Sequence, residues 1–292
     1  MSFLYKSAFV VSVAVLVSWL TSDDGFNPDE LKGKRVMITG GSQNIGEEIA
    51  LQYAKLGAKI VVTARREKEL KTVVEECKKS GAMYANYIVA DMSDLNQIKS
   101  VVDTAAEYLG GLDYLVLNHV IGLSNPGLWN GSEFNLNFAE KSATINYVSY
   151  VYMSTHATPY LKGSTGHVIV VSSLAGHVYT IYNAVYGATK AAINQFYSSL
   201  RLEMALQNRY DYSITICLLG PIATKKSRWE KYPDQVNIKG YPLVDTAKEI
   251  IRAGATSSSY IFIPKWTIVS GIQRAFATDR LDKLFLKLFY NK

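Results

Sequence analysis

From Lys34 onward, short apolar runs alternate with longer segments in which apolar residues recur every three to four positions. The short runs predict strands at Arg35–Thr39, Lys59–Thr63, Tyr84–Ala90, Tyr114–Asn118, His167–Ser172, Ser213–Leu218 and Tyr260–Ile263. The periodic segments predict helices over about 46–56, 67–80, 94–109, 138–161, 184–208 and 245–255. Strands that are apolar throughout are covered on both faces, which is the condition of a parallel sheet with helices on either side. The expected fold class is therefore α/β, a doubly wound parallel sheet forming one domain over residues 30–278. Such sheets bind ligands beyond the carboxyl ends of their strands, so the chemistry is expected in the residues that follow each strand.

Both ends of the chain carry a different pattern. Ser7–Ser22 is uncharged, with Lys6 before it and Asp23 and Asp24 after it. As a helix it would span about 24 Å at about 1.5 Å per residue, nearly a hydrocarbon core. A cleavable signal peptide needs small residues three and one positions before the cut, and the pairs Ser18/Leu20, Leu20/Ser22 and Trp19/Thr21 each contain a bulky one. An uncleaved anchor over residues 1–24 is the preferred reading, with a signal peptide or a buried core helix as the others. Lys6 on the amino side orients the anchor with its N-terminus in the cytoplasm and the body in the lumen. At the other end, over 279–292, Leu281, Leu284, Phe285, Leu288 and Phe289 share one helical face, with Lys283 and Lys287 off it. That amphipathic helix fits a membrane surface or packing on its own domain or on a second copy.

Composition narrows the function classes. A chain 48% hydrophobic and 19% charged can build a core, so it is neither disordered nor fibrous. Of the 31 Lys/Arg and 25 Asp/Glu that leave a net +6, residues 219–292 hold 13 and 6, so the excess is C-terminal. Those bases are dispersed among apolar residues, which favours a membrane surface over nucleic acid. Two cysteines, Cys77 in a helix pattern and Cys217 in a strand pattern, read as free thiols, and four scattered His give no metal spacing. One sequon, Asn130-Gly131-Ser132, falls in a polar stretch and suits a lumenal body. Residues 219–243 show no clear periodicity, and read as a substrate flap or a surface connection.

The first strand ends in Thr39-Gly40-Gly41-Ser42-Gln43-Asn44-Ile45-Gly46 and leads straight into a helix. A glycine turn between strand and helix N-terminus presents backbone N–H groups and the positive end of the helix to a pyrophosphate. Asn44 stands where a middle glycine is usual, and asparagine is the side chain most tolerant of a left-handed backbone. The second strand leads to Arg65 and Arg66 with no carboxylate before Glu67, which predicts a 2′-phosphate and hence NADP(H). Asp91 and Met92 follow the third strand at the expected adenine position, and Asn118 and His119 follow the fourth. His119, without a carboxylate partner in view, reads as a structural or cofactor-contact residue.

The clearest signal is Tyr186-Gly187-Ala188-Thr189-Lys190, which sets a phenol and an ammonium at i and i+4 on one helix face. A phenol of pKa about 10 is a poor acid or base at neutral pH, and a neighbouring positive charge makes it a better one. Ser173 closes the fifth strand at the same sheet edge and is expected to hold a carbonyl oxygen. Asn146, polar within an apolar helix pattern, is expected to position a water linked to Lys190. Ser173, Asn146, Tyr186 and Lys190 form a proton-handling set for hydride chemistry.

On these motifs the chain resembles the short-chain dehydrogenases/reductases, and within them the hydroxysteroid dehydrogenases. The likeness extends to the VVTAR segment, the LNH run at Leu117–His119, VVSSLAG at Val170–Gly176, LGPIAT at Leu219–Thr224 and the anchor followed by FNPDELKGK. It implies a Rossmann domain, NADP(H), an endoplasmic-reticulum membrane anchor with a lumenal body, a homodimer, and a ketone/alcohol couple on a steroid-like lipid. It assigns cofactor contacts to Gly40, Ser42, Gln43, Asn44, Ile45, Gly46, Arg65, Arg66, Asp91, Met92, Asn118, Tyr186 and Lys190, and after the sixth strand to Ile222 and Thr224. One departure concerns the substrate: Thr180, between Tyr179 and Tyr182, stands near the place of an aromatic contact. A broader reductase of lipid, retinoid or xenobiotic carbonyls is the alternative, and a membrane nucleotide-binding protein without catalysis is the third reading.

Overall fold

The computed structural model describes residues 25–122, 128–163, 165–178, 182–224 and 240–268. The proposed anchor and the C-terminal amphipathic segment lie outside the described residues. Among the described residues no helix is long and apolar enough to cross a membrane.

Seven strands form one sheet: β1 (Arg35–Thr39), β2 (Lys59–Ala64), β3 (Tyr84–Val89), β4 (Tyr114–Leu117), β5 (Gly166–Val171), β6 (Tyr212–Leu219) and β7 (Tyr260–Ile263). Their order is β3-β2-β1-β4-β5-β6-β7, and every pairing is parallel. The central strand β4 is buried along its whole length, as its unbroken apolar run requires. Every expected strand is present, with ends shifted by no more than one residue.

The helices are α1 (Asn44–Lys55), α2 (Glu67–Lys79), α3 (Ile98–Leu109), α4 (Glu133–Ala143), α5 (Ser149–Lys162), α6 (Ala184–Leu206) and α7 (Leu243–Ala255). In α2 the buried residues are Leu70, Val73, Val74 and Cys77, the three-to-four spacing that puts one stripe on the sheet. Its first turn carries Glu67 and Glu69 and its last Lys78 and Lys79, each facing the favourable end of the helix dipole. Two apolar layers result. One, including Ile38, Ile49, Tyr53, Leu70 and Ile250, lies under α1, α2 and α7. The other, including Leu115, Tyr150, Met153, Ile193 and Tyr197, lies under α3, α5 and α6.

The single helix expected at 138–161 is corrected. It begins at Glu133, where Ser132 Oγ accepts from the Asn135 amide at 3.4 Å. It is then interrupted by one wide π turn, Thr144–Val148, before α5 continues. Such single π turns inside helices often sit at functional positions, and this one carries Asn146.

Strand order reverses between β1 and β4, whose register pairs Ile38 with Val116. The ends of these two strands therefore open a crevice that Gly40, Asn118 and His119 line.

Candidate active site

Beyond the carboxyl ends of β1 to β4 lies a cleft of about 350 Å³. Its wall includes Gly40, Ser42, Gln43, Asn44, Ile45, Arg65, Arg66, Asp91, Met92, Asn118, His119 and Thr224. Eleven of the fifteen expected nucleotide contacts thus share one wall, joined by Thr63, Ala64, Ala90, Val120, Ile121 and Ile145, which the sequence patterns do not single out.

The turn is tightly specified. Gly40 has φ +66, and a Cβ there would lie 2.7 Å from His119 Cα. Asn44 opens α1 at φ 50, the left-handed backbone that its side chain tolerates. A Cβ on Gly46 would sit 2.3 Å from the Gly40 carbonyl oxygen and 2.6 Å from Asn118 Nδ2. Gly46 is therefore beneath the turn rather than on the cleft wall: it lets the helix close on the strand. Asn118 binds the turn together by donating from Nδ2 to the carbonyls of Thr39 and Gly40, each at 3.2 Å.

At the end of β2 the two arginines differ. Arg66 Nη2 donates to Ser42 Oγ at 3.1 Å, and its Nη1 lies 3.6 Å from Glu69 Oε1. Arg65 Nη1 is 3.9 Å from Asp91 Oδ2. Burial acts to raise the Asp91 carboxyl, but bonds from Ser93 and the nearby Arg65 charge hold it below the usual range. Ile222 does not line the cleft; it is 8% exposed and bridges to Tyr241, while Thr224 two residues on reaches the wall.

The residues expected to handle protons do not line this cleft; Lys190 Nζ lies 5.5 Å from the Tyr150 ring, whose hydroxyl donates to the carbonyl of the wall residue His119. Lys190 is 2% exposed, its Nζ donates to the Val171 carbonyl at 2.9 Å, and it lies 5.8 Å from the centre of the Tyr186 ring. Burial lowers its pKa to about 7. Burial also raises the Tyr186 phenol, and a hydrogen bond with Ser173 acts the other way. The force opposing the phenol's desolvation thus comes from Ser173, not from the Lys190 charge expected from the sequence. Ser173 caps the short turn Leu174–Gly176, accepting from the Ala175 amide at 3.1 Å. Its bond to the Leu219 carbonyl is long, 3.4 Å, so its proton can be turned towards another oxygen.

Asn146 is fully buried in the π turn. Its Oδ1 accepts from the Ile121 amide at 2.8 Å, and its Nδ2 donates to the Ile121 carbonyl at 3.3 Å and to Thr189 Oγ1 at 3.2 Å. Thr189 in turn donates to the Tyr186 carbonyl at 2.8 Å, so Asn146 reaches the tyrosine helix through Thr189. Thr189 was legible only as a spacer between Tyr186 and Lys190.

Among the described residues no cluster of His, Cys, Asp and Glu could hold a metal ion. Cys77 and Cys217 are both free and buried.

A parallel seven-stranded sheet with a glycine turn at its switch point and a serine, tyrosine and lysine behind it defines an oxidoreductase, and a family model described as short chain dehydrogenase matches residues 34–235. The chain belongs to the short-chain dehydrogenase family. A hydroxysteroid 11-beta-dehydrogenase 1-like protein of Danio rerio is 42% identical over 284 residues, 96% of each chain. The protein of that name from Gallus gallus is 44% identical over 255 residues, 87% of this chain and 86% of its own. Among solved structures, a short-chain dehydrogenase of Burkholderia cenocepacia in complex with NADP superposes with a TM-score of 0.69 at 24% identity, covering 80% of this chain and 96% of that one. That likeness is one of fold.

Proposed function

We propose that this protein interconverts a ketone and a secondary alcohol on a steroid-like lipid, using NADP(H). The observation that carries the reaction class is the set Ser173, Tyr186 and Lys190 behind a glycine-turn cleft. The cleft fits the nucleotide on its own geometry: the turn that Gly40 and Gly46 allow to close tightly borders it, and α1 begins at that turn. Gly40, Ser42, Gln43, Asn44 and Ile45 would hold the pyrophosphate side, Asp91 and Met92 the adenine, and Arg65 and Arg66 a 2′-phosphate. Two guanidiniums and the absence of a carboxylate before Glu67 support NADP(H) over NAD(H).

When bound, the nicotinamide supplies or accepts the hydride. Ser173 holds the substrate oxygen and stabilises charge that develops there. Tyr186 moves the proton to or from that oxygen. Lys190, close to the phenol and with its pKa lowered to about 7 by burial, sets how readily the proton leaves. Asn146 keeps the tyrosine helix in place through Thr189.

Steroid preference is supported by the names of the Danio rerio and Gallus gallus relatives, at 42% and 44% identity. Thr180 in place of an aromatic favours a second reading, a broader reductase of lipid, retinoid or xenobiotic carbonyls. Residues 1–24 and the sequon at Asn130, exposed ahead of α4, support an endoplasmic-reticulum anchor of single-pass type II orientation with a lumenal, glycosylated body. An open apolar groove of about 500 Å³ that includes Trp129, Ala139, Ala143, Ala188 and Ala192 supports a homodimer through α4 and α6. A screen of keto-steroids against small aromatic ketones, following NADPH absorbance, tests the substrate class. Turnover confined to keto-steroids is expected, and turnover of small ketones alone overturns the steroid reading.

A further inference from the structure

His119 is buried at 7% exposure and both of its ring nitrogens are engaged by hydroxyls. Nδ1 lies 2.8 Å from Thr39 Oγ1, at the end of β1, and Nε2 lies 2.7 Å from Ser149 Oγ, at the start of α5. These two hydroxyls adjoin the two segments that must be in register for the reaction: Thr39 directly precedes the glycine turn, and Ser149 directly follows the π turn that carries Asn146. Ser149 Oγ also donates to the Ile145 carbonyl at 2.7 Å, inside that π turn. Tyr150 closes the arrangement by donating to the His119 carbonyl at 2.7 Å, while its ring lies 5.5 Å from Lys190 Nζ.

The proton positions follow from counting. Burial, with the Lys190 charge acting the same way, lowers the His119 pKa to about 3, so the ring is neutral and has one N–H. One hydroxyl must then donate to the bare nitrogen instead of to a carbonyl. Ser149 has the short carbonyl bond, 2.7 Å to Ile145, whereas Thr39 lies 3.1 Å from the Val116 carbonyl but 2.8 Å from Nδ1. Thr39 therefore donates to Nδ1, Nε2–H donates to Ser149, and Ser149 donates to Ile145. All three bonds run in one direction, from the nucleotide turn to the Asn146 turn, and such chains strengthen one another.

We infer that His119 is a positioning residue that ties the glycine turn to the π turn and so holds Asn146, and through it the Tyr186 helix, in register with the cofactor cleft. The inference rests on the oxidoreductase reading for its kinetic consequence, but not for its structural one. A displacement of about 1 Å at reacting groups costs up to about a hundredfold in rate, so the register matters.

The test has an arm that needs no turnover. Hydrogen exchange on the nucleotide-free full chain is expected to rise in His119→Ala both at residues 40–46 and at 144–150, two segments far apart in sequence. His119→Gln, whose amide reaches the Nε2 position, is expected to restore protection at 144–150, and His119→Asn, which reaches only the Nδ1 position, is not. Imidazole nitrogen shifts are expected to report the Nε2–H form. In the kinetic arm, Ser149→Ala and His119→Ala are each expected to lower kcat at least about tenfold, with His119→Gln recovering to within about threefold and the double variant no worse than either single one. Exchange changes confined to residues around 119, or full turnover in His119→Ala, overturn the inference. If NADPH leaves the parent's intrinsic fluorescence unchanged, the oxidoreductase reading fails, and the exchange arm still decides whether the imidazole joins the two turns.

Discussion

The Arg66 guanidinium donates to the Ser42 hydroxyl at 3.1 Å, so the residue that opens α2 is fastened to the glycine turn at the end of β1. Its other nitrogen is 3.6 Å from Glu69. Arg65 lies 3.9 Å from Asp91, on the same cleft wall. An arginine at a helix start is unfavourable towards the helix dipole, so both residues ask for a negative ligand.

Arg65→Ala with Arg66→Ala is expected to weaken NADPH about a hundredfold or more, since each hydrogen bond to a charged group is worth about 1.5–3 kcal/mol. NADH, which lacks the 2′-phosphate, is expected to change by less than about threefold. Fluorescence titration of both nucleotides checks this, and equal weakening of the two would contradict the phosphate assignment.

Gly46→Ala tests the packing beneath the turn. The new methyl meets the Gly40 backbone carbonyl at 2.3 Å and Asn118 Nδ2 at 2.6 Å; the backbone cannot swing aside, and the amide is held by its bonds to the Thr39 and Gly40 carbonyls. Overpacking of this kind costs about 1–3 kcal/mol. Chemical denaturation is expected to show that loss together with loss of nucleotide binding. An unchanged midpoint and unchanged NADPH affinity would mean that the turn is looser than its geometry indicates.

The Lys190 pKa falls from 10.5 to about 7 on folding because burial disfavours its charge. Between those values the unfolded chain holds a proton that the folded chain has released, so stability rises with pH across about 7 to 10.5, and below about 7 the full cost of a buried charge is present. Lys190→Met removes this dependence. The stability of the parent relative to the variant is expected to climb from pH 7 to pH 10 in urea titrations of the nucleotide-free chain. A difference that stays flat over this range would show that the lysine is not desolvated.

How much of this was legible beforehand depends on what sets each feature. Strand positions were read nearly to the residue because an unbroken apolar run such as Tyr114–Leu117 has no other stable place than mid-sheet. The glycine turn, Arg65, Arg66, Asp91 and Asn118 were legible because each follows a strand, and the sheet brings strand ends together. The π turn was not, since Thr144–Val148 differs from ordinary helix by one hydrogen-bond step that side-chain periodicity does not record. The early start of α4 was signalled only by Ser132, whose capping role becomes evident once Asn135 is seen above it. Gly46 and Ile222 stand off the cleft wall, which their motifs do not signal. A motif names residues that build a site without separating those that touch the ligand from those that support the ones that do.

Thr39, Ser149 and Thr189 escaped notice for a different reason. Their hydroxyls act across 30 to 80 residues of sequence separation, as in the Thr39–His119 and His119–Ser149 bonds, and no local pattern marks such a partner. His119 reads from the sequence as structural or cofactor-contacting because no carboxylate accompanies it, and the ring's partners are hydroxyls.

The account as a whole turns on proton transfer by the Tyr186 phenol, held beside Ser173 and Lys190. The direct measurement is single-turnover and steady-state reduction of a keto-steroid by Tyr186→Phe, with NADPH affinity determined on the same preparation. General acid–base catalysis contributes about 10²–10⁴-fold, so kcat is expected to fall at least about a hundredfold while NADPH affinity stays within about twofold. Turnover at the parental rate with intact cofactor binding would contradict it.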